Sequence, residues 1–200
     1  MFSLTTLLTA TLLLLLPSET HAATAGCTAT SPLTAGTKTL TVNNKSRRYH
    51  LRLPNNYNNA VPHKLVFGLH WRDADFNAVD TGSAPYYGLR ALDANNGSQT
   101  IFVAPDGLNK GWANNGGEDV SFIDAIVKQV TEGLCVDEKR VFSLGFSYGG
   151  AMSYSLACSR PNVFRAVAVL SGAQLSGCQG GSTPVVSLPS CARSGRGGGV

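Results

Sequence analysis

Two stretches early in the chain alternate polar and apolar residues with a period of two. Thr37-Lys38-Thr39-Leu40-Thr41-Val42 and Arg47-Arg48-Tyr49-His50-Leu51-Arg52-Leu53 therefore read as half-exposed strands. Residues 43–46 between them supply a hairpin turn. Further along the pattern changes. Lys64-Leu65-Val66-Phe67-Gly68-Leu69-His70 and Thr100-Ile101-Phe102-Val103-Ala104 are short apolar runs, as strands covered on both faces need. The second is stopped by Pro105-Asp106-Gly107. Residues 71–83 are polar and predict a loop, and residues 86–94, with Leu89 and Leu92 three apart, predict a helix.

The clearest helix is predicted over residues 119–134. Phe122, Ile123, Ile126, Val127, Val130 and Leu134 recur on one face. Gly117, Glu118 and Asp119 give a turn and negative charge at its start. Arg140-Val141-Phe142-Ser143-Leu144 reads as a strand, residues 149–158 as a helix of small residues, and Ala166-Val167-Ala168-Val169-Leu170 as a further buried strand. Strands and helices alternate after residue 60, which predicts an α/β fold: a mostly parallel sheet with helices on both faces. No internal repeat is present.

Both ends differ in kind from this middle. Residues 1–22 hold the apolar run Leu7-Leu8 through Leu16, too short to span a bilayer, followed by Pro17-Ser18 and by small residues at Ala22, Ala23 and Ala25. That is the layout of a secretory signal, although basic residues ahead of the apolar core are absent; a buried N-terminal helix is the other reading. Residues 186–200 are rich in Ser, Gly and Arg, hold no acid and show no periodicity, and are expected to be a disordered tail. Residues 23–185 form the expected domain.

Composition narrows the class. In 200 residues, 43% are hydrophobic and 14% charged, with 22 glycines, which suits an extracellular globular protein. Removing residues 1–22 takes out one acid, Glu19, and raises the formal charge of +4 by one. So mild an excess, with no basic cluster among aromatics, does not point to nucleic acid. No stretch after the leader is long enough to cross a membrane. Cys27, Cys135, Cys158, Cys178 and Cys191 should mostly pair in a secreted chain, with Cys191 the expected spare. Asn44-Lys45-Ser46 and Asn96-Gly97-Ser98 are glycosylation sequons in predicted turns. Neither a C-x-x-C pair nor a histidine-rich cluster marks a metal site. Residues 114–119 lack the alternating oxygen ligands of a calcium loop and read as a helix cap.

The chemistry sits in Gly145-Phe146-Ser147-Tyr148-Gly149, a G-x-S-x-G elbow between a strand and a helix of small residues. Such a turn lifts a serine hydroxyl clear of the sheet, and bulk beside it would clash with strand and helix. Ser147 is thus the expected nucleophile. The backbone N–H of Tyr148 is one expected oxyanion donor. The loop leaving an earlier strand, Gly68-Leu69-His70-Trp71-Arg72, should supply the other through the N–H of Trp71. Trp112 is expected as an aromatic wall for substrate, with simple packing the alternative. The elbow's usual triad continues in chain order to an acid and then a histidine. Here no Asp or Glu follows Glu138 and no His follows His70. His70 belongs to the oxyanion loop, so the serine's base is missing and low turnover is expected.

Six segments resemble one family when taken together and in order: Gly68-Leu69-His70-Trp71-Arg72, Ala104-Pro105-Asp106-Gly107-Leu108, Gly111-Trp112-Ala113-Asn114, Gly117-Glu118-Asp119-Val120-Ser121-Phe122, the elbow with Gly150, and Leu170-Ser171-Gly172-Ala173-Gln174. They are similar to the fungal feruloyl esterases of types C and D, in the polyhydroxybutyrate-depolymerase-like branch of the α/β-hydrolases. The resemblance covers about residues 27–185. It implies an α/β-hydrolase fold without its last strands and a secreted serine esterase that needs no cofactor. It also implies feruloylated arabinoxylan or pectin of the plant cell wall as substrate. The nucleophile carries over to Ser147 and the oxyanion loop to His70-Trp71-Arg72, while the family's acid and base belong to later segments. After Val185 the sequence departs from the pattern, as a frame change, a retained intron or a truncated gene model would make it. Loss of the last strands is expected to leave residues 166–170 as an exposed apolar edge and to lower soluble yield. The competing readings are an acetylxylan esterase or polyester depolymerase and, from another class, a non-catalytic carbohydrate-binding remnant.

Overall fold

A computed structural model describes residues 23–97, 99–172 and 176–178. The leader expected over residues 1–22, the tail expected over residues 186–200, and Cys191 lie outside the described residues. Six strands form one sheet in the order β1-β2-β4-β3-β5-β6. They are β1 Gly36–Val42, β2 Lys45–Arg52, β3 His63–Leu69, β4 Thr100–Pro105, β5 Val136–Phe146 and β6 Ala166–Leu170. Two asparagines close the β1–β2 hairpin, Asn43 at φ 51° and Asn44 at φ 60°. Asparagine tolerates that left-handed conformation, and a two-residue turn of this kind matches strand twist. Lys45 and Ser46, expected in the turn, already belong to β2. β2 joins β4 antiparallel, with Leu51 opposite Val103. From there the pairing is parallel: Val66 beside Phe102, Phe67 beside Ser143 and Leu144 beside Ala168.

Alternation along the inner strands sorts side chains to two faces. Leu65, Phe67 and Leu69 of β3, with Ile101 and Val103 of β4, meet Phe122, Ile123, Ile126 and Val130 of helix α3 (Glu118–Gly133) and Met152 and Leu156 of helix α4 (Tyr148–Ser159). The intervening Val66, Phe102 and Ala104 meet the other face, covered by Phe76 and Val79 of helix α1 (Phe76–Asp80) and by Tyr86. Each such side chain contributes about 1.5–3 kcal/mol on burial. One polar replacement there removes a large part of a net stability of about 5–15 kcal/mol. Helix α2 (Leu89–Asn95) follows a 3-10 turn, Pro85–Gly88. None of the described helices is long and apolar enough to cross a membrane.

Three departures from the sequence reading have local causes. Residues 71–83 contain α1, whose first turn is capped by Asp75 Oδ1 accepting from the Asn77 N–H at 2.9 Å. Five residues are too few to show a helical period. The helix expected over residues 86–94 is broken, because Tyr86 and Tyr87 adopt φ 50° and 56°. Strand β5 starts four residues earlier than its apolar run. Its polar opening is stabilised by Asp137 Oδ2, which accepts from Arg140 Nε at 2.6 Å. The four cysteines other than Cys191 pair as Cys27–Cys135 and Cys158–Cys178. The first ties the N-terminal segment to the entrance of β5, and the second ties α4 to the chain beyond β6.

Candidate active site

The sheet's parallel strands end together where β5 gives way to α4, and Ser147 sits at that junction. Its backbone is held at φ 53°, ψ −118°. A non-glycine residue there costs on the order of 1–3 kcal/mol and persists only where its surroundings force it. Two hydrogen bonds do so: the Ser147 N–H donates to Leu170 O at 2.9 Å, and the Ser147 carbonyl accepts from the Ala151 N–H at 3.0 Å. Close backbone contact does the rest. A Cβ on Gly145 would lie 2.3 Å from the Gly149 carbonyl carbon. One on Gly149 would lie 2.1 Å from Leu69 O and 2.6 Å from His70 O. Helix α4 therefore begins directly on the carbonyl end of β3. That contact sets Tyr148, the first residue of α4, near Trp71, the second residue past β3. The Tyr148 N–H is among the first four of its helix, which have no intrahelical partner. Ser147 itself is half-buried.

His70 braces the β3 exit. The Gly107 N–H donates to His70 Nε2 at 2.9 Å, so the proton is on Nδ1, which donates to Trp71 O at 2.7 Å. The ring is fully buried and tilted against Trp112, with centroids 4.9 Å apart. Burial pushes its pKa below the ordinary histidine value, against the opposing pull of the Trp71 carbonyl and Asp106. The other two described histidines are also engaged. His50 Nδ1 lies 3.1 Å from Thr37 Oγ1. His63 places its nitrogens 3.1 Å from Gln99 O and 3.0 Å from Asn58 O. Among the described residues, no three His, Cys, Asp or Glu side chains gather as a metal ion would require.

Trp112 is not the exposed wall expected of it. It is completely buried, and its Nε1–H donates to His70 O at 2.8 Å. A buried indole needs an acceptor, and the His70 carbonyl supplies one, so Trp112 supports the loop from behind. The exposed aromatics are Trp71, at 37%, and Phe146, at 42%. They pack edge to face with centroids 6.4 Å apart, beside the elbow. Phe146 escaped the sequence reading because it occupies a variable position of the elbow. Its available signal was a large apolar residue at the last position of a strand, immediately before the nucleophile.

On the Tyr148 side the surface is polar. A cavity of about 460 Å³ is lined by Arg72, Asp73, Asn109, Lys110, Asn115 and Tyr148, among others. The Arg72 guanidinium lies 5.4 Å from the Tyr148 ring centroid. The loop on the far side is fixed by Asn114, which is buried in a left-handed conformation. Its Oδ1 accepts from the Asp119 and Val120 N–H groups, both at 3.1 Å, and so caps α3. Its own N–H donates to Asp119 Oδ2 at 2.8 Å, while Asp119 Oδ1 accepts from Arg47 Nη2 at 2.7 Å. Asn114 Nδ2 also donates to Ser176 O at 2.7 Å, and Ser176 Oγ donates to Trp112 O at 2.7 Å.

The family model described as the prolyl oligopeptidase family matches residues 108–174, the stretch that carries α3, β5, the elbow, α4 and β6. Feruloyl esterase D of Neurospora crassa is 52% identical over 190 residues, covering 89% of this chain and 65% of that protein. A probable feruloyl esterase C of Aspergillus terreus is 45% identical over 187 residues, covering 92% and 67%. Feruloyl esterase C of Emericella nidulans is 49% identical over 165 residues, covering 82% and 58%. The chain thus spans between 52% and 67% of the length of its feruloyl esterase C and D relatives. Among solved structures, a ferulic acid esterase superimposes with a TM-score of 0.56 at 20% identity, over 70% of this chain and 60% of that one. A ferulic acid esterase from Anaeromyces mucronatus, solved with ferulic acid, gives 0.53 at 17% identity, over 66% and 55%. At those identities the structural likeness concerns the fold, which is that of the α/β-hydrolases.

Proposed function

The chain belongs to the feruloyl esterase C and D family of the α/β-hydrolases, and from that premise we propose that it carries the acyl-transfer half of a secreted feruloyl esterase. The observation that carries the reading is the backbone of Ser147, held at φ 53° on a strand-to-helix junction that leaves the residue half-buried. The Ser147 hydroxyl oxygen attacks the ester carbonyl carbon. The carbonyl π pair moves onto oxygen, and the N–H groups of Tyr148 and Trp71 hold the resulting oxyanion. Each such donor is typically worth about 3 kcal/mol. Collapse of the intermediate breaks its bond to the sugar oxygen, which leaves as the alcohol by taking up the proton that the Ser147 hydroxyl gave up; a water oxygen then attacks the acyl carbon, the bond to Ser147 Oγ breaks, and one water proton returns to Oγ as the acid departs. The edge-to-face pair Trp71 and Phe146 supports a flat aromatic acyl group over acetyl. Two disulfides support an oxidising compartment, and a signal over residues 1–22 and feruloylated wall polysaccharide as substrate complete the reading.

The proton acceptor for Ser147 is not among the described residues, since His50, His63 and His70 are each engaged elsewhere. Loss of the base in a serine triad costs about 10⁴–10⁶ in turnover, with about 10³ over water retained by binding and oxyanion donors. The 200-residue chain is therefore expected to react with a fluorophosphonate at Ser147 while hydrolysing methyl ferulate slowly. Ser147→Ala should abolish the adduct. Labelling that survives this substitution would refute the assignment. No labelling together with retained binding of feruloylated xylan would favour the non-catalytic reading, which the engagement of all three described histidines supports.

A further inference from the structure

Three successive carbonyls mark the chain's exit from β3, and each accepts from a side chain. Tyr87 Oη donates to Leu69 O at 2.5 Å, Trp112 Nε1–H to His70 O at 2.8 Å, and His70 Nδ1–H to Trp71 O at 2.7 Å. We propose that Tyr87 is a positioning residue for the reaction: its hydroxyl, together with the Trp112 indole, fixes two successive peptide planes and so aims the Trp71 N–H at the oxyanion. This role rests on the reading of Ser147 and its donors given above.

Peptide geometry connects these bonds to the site. In a trans peptide the C=O and the N–H point to opposite sides of one plane. The His70 carbonyl and the Trp71 N–H share such a plane, so the indole that holds the one directs the other. The Leu69 carbonyl belongs to the plane before it, and the phenol keeps that plane from turning. Among the described residues no acceptor takes the Trp71 N–H, which leaves it for a substrate oxygen. Leu69 O and His70 O are also the two atoms on which Gly149 closes: a Cβ there would stand 2.1 Å and 2.6 Å from them. The same carbonyls therefore set both the Trp71 N–H and the seat of α4, which begins with Tyr148. Burial pushes the Tyr87 pKa up to about 12, and the Phe146 backbone works against that rise, as an N–H facing the phenol oxygen does. The hydroxyl thus stays protonated between the end of β3 and the elbow. Backbone strain singles out the same residue. Tyr86 and Tyr87 are held at φ 50°, ψ 43° and φ 56°, ψ 35°, a conformation that bulky residues adopt only where their surroundings impose it. The Tyr86 ring lies over Gly68, where a Cβ would come within 2.6 Å of Tyr86 Cδ1, and it packs on Phe102 with centroids 4.6 Å apart. Consecutive tyrosines thus meet consecutive residues of β3, the first by shape at Gly68 and the second by a hydrogen bond at Leu69. Strain of this kind gathers where a fold holds a functional group in place.

The test follows fluorophosphonate labelling of Ser147 against reagent concentration, which separates reagent binding from the chemical step. Tyr87→Phe keeps the ring and removes the donor. Its maximal labelling rate should fall at least about tenfold, as a donor displaced by a fraction of an ångström requires, while half-saturation stays within about twofold. Tyr57→Phe is the structural control. Tyr57 is another half-buried phenol tied to backbone, accepting from the Cys135 N–H at 2.8 Å at the entrance of β5, the end opposite the elbow. That variant should lower Tm and leave both labelling constants unchanged. Should Tyr87→Phe unfold by circular dichroism, Trp112→Phe, which strips the donor from the next carbonyl, is expected to show the same loss in its place. A maximal rate within about threefold of wild type in a folded variant, a loss confined to half-saturation, or an equal loss in Tyr57→Phe would overturn the proposal. Hydrogen exchange at the buried Trp112 indole N–H reports on the same loop and needs no reactive serine. Measured against the Val103 amide in β4, it should quicken at least about fivefold in Tyr87→Phe. A wild type that does not label at Ser147 would sink the acyl chemistry; faster indole exchange in the variant would then still support the hold on the loop, and unchanged exchange would overturn that as well.

Discussion

A single added methyl group at Gly149 tests whether backbone contact between α4 and β3 sets the oxyanion site. Gly149 lies inside α4, so alanine suits its conformation and even gains about 1 kcal/mol of helix propensity. The penalty is purely steric. The new Cβ would stand 2.1 Å from Leu69 O and 2.6 Å from His70 O, whereas carbon and oxygen in contact sit about 3.3–3.6 Å apart. The start of α4 must therefore move about 1 Å from the end of β3. Overpacking of this kind costs about 1–3 kcal/mol. Set against the propensity gain, this leaves a loss of about 2 kcal/mol or less, or a Tm shift of several degrees at most at about 2–4 °C per kcal/mol. The site fares worse. The two proposed donors lie on the two segments forced apart, and a 1 Å misplacement can cost about 10²-fold. Losing one donor outright costs about 10²–10³. Gly149→Ala should therefore stay folded and lose about 100-fold in the second-order rate of fluorophosphonate labelling. Labelling within about threefold of wild type, with Tm unchanged, would refute the claim that this contact positions the donors.

Other expectations follow from the same structure. Arg47→Met leaves the Asp119 carboxylate buried without its cation, and should lower stability by about 3–5 kcal/mol in a denaturant titration; a loss below about 1 kcal/mol would show the pair to be dispensable. Burial holds the His70 pKa below the ordinary value of about 6.5, so the unfolded chain takes up that proton first and stability falls as pH drops below about 6.5. His50 shifts in the same direction, so the decisive comparison is His70→Asn, whose Tm should vary less steeply with pH than the wild type's. An unchanged slope would count against a neutral buried ring. The bond Cys27–Cys135 closes 108 residues and Cys158–Cys178 closes 20. By loop length their removal should cost about 4.7 and about 3 kcal/mol respectively, a ranking that paired Cys→Ala variants would reverse if native strain dominated.

How far the sequence could be read depended on the range of the interactions at each place. Strand β6 coincides with its apolar run residue for residue, but none of its five residues is buried, because it is the outermost strand of the described sheet and not the buried strand expected; α3 begins one residue before its predicted start, because burial on a regular period leaves a visible pattern. The elbow was legible for a similar reason: Gly145 and Gly149 are demanded by contacts a few residues away and by the strand next door. For Trp112 the packing alternative holds, and the sequence leaves it undecided because its environment is set by a carbonyl at position 70 that nothing near position 112 announces. The break at Tyr86 and Tyr87 was hidden because two tyrosines in left-handed backbone have no compositional signature. Phe146 carries no sequence signal because the elbow pattern leaves its position free, while the structure exposes it beside Trp71.

The buried chain Arg47–Asp119–Asn114–Ser176 has a consequence for anyone who reshapes this protein. It binds the hairpin, the cap of α3, the loop around position 112 and the segment after β6 into one cooperative joint. That loop is thus not an exchangeable cassette. A graft from another esterase would have to match Arg47, Asp119 and Ser176 outside the loop, or leave buried polar groups without partners. Variation costs least at the rim, where Asn115 is exposed; Asn109 and Lys110 are exposed too, but at φ 51° and 55° they favour Asn, Asp or Gly over branched side chains.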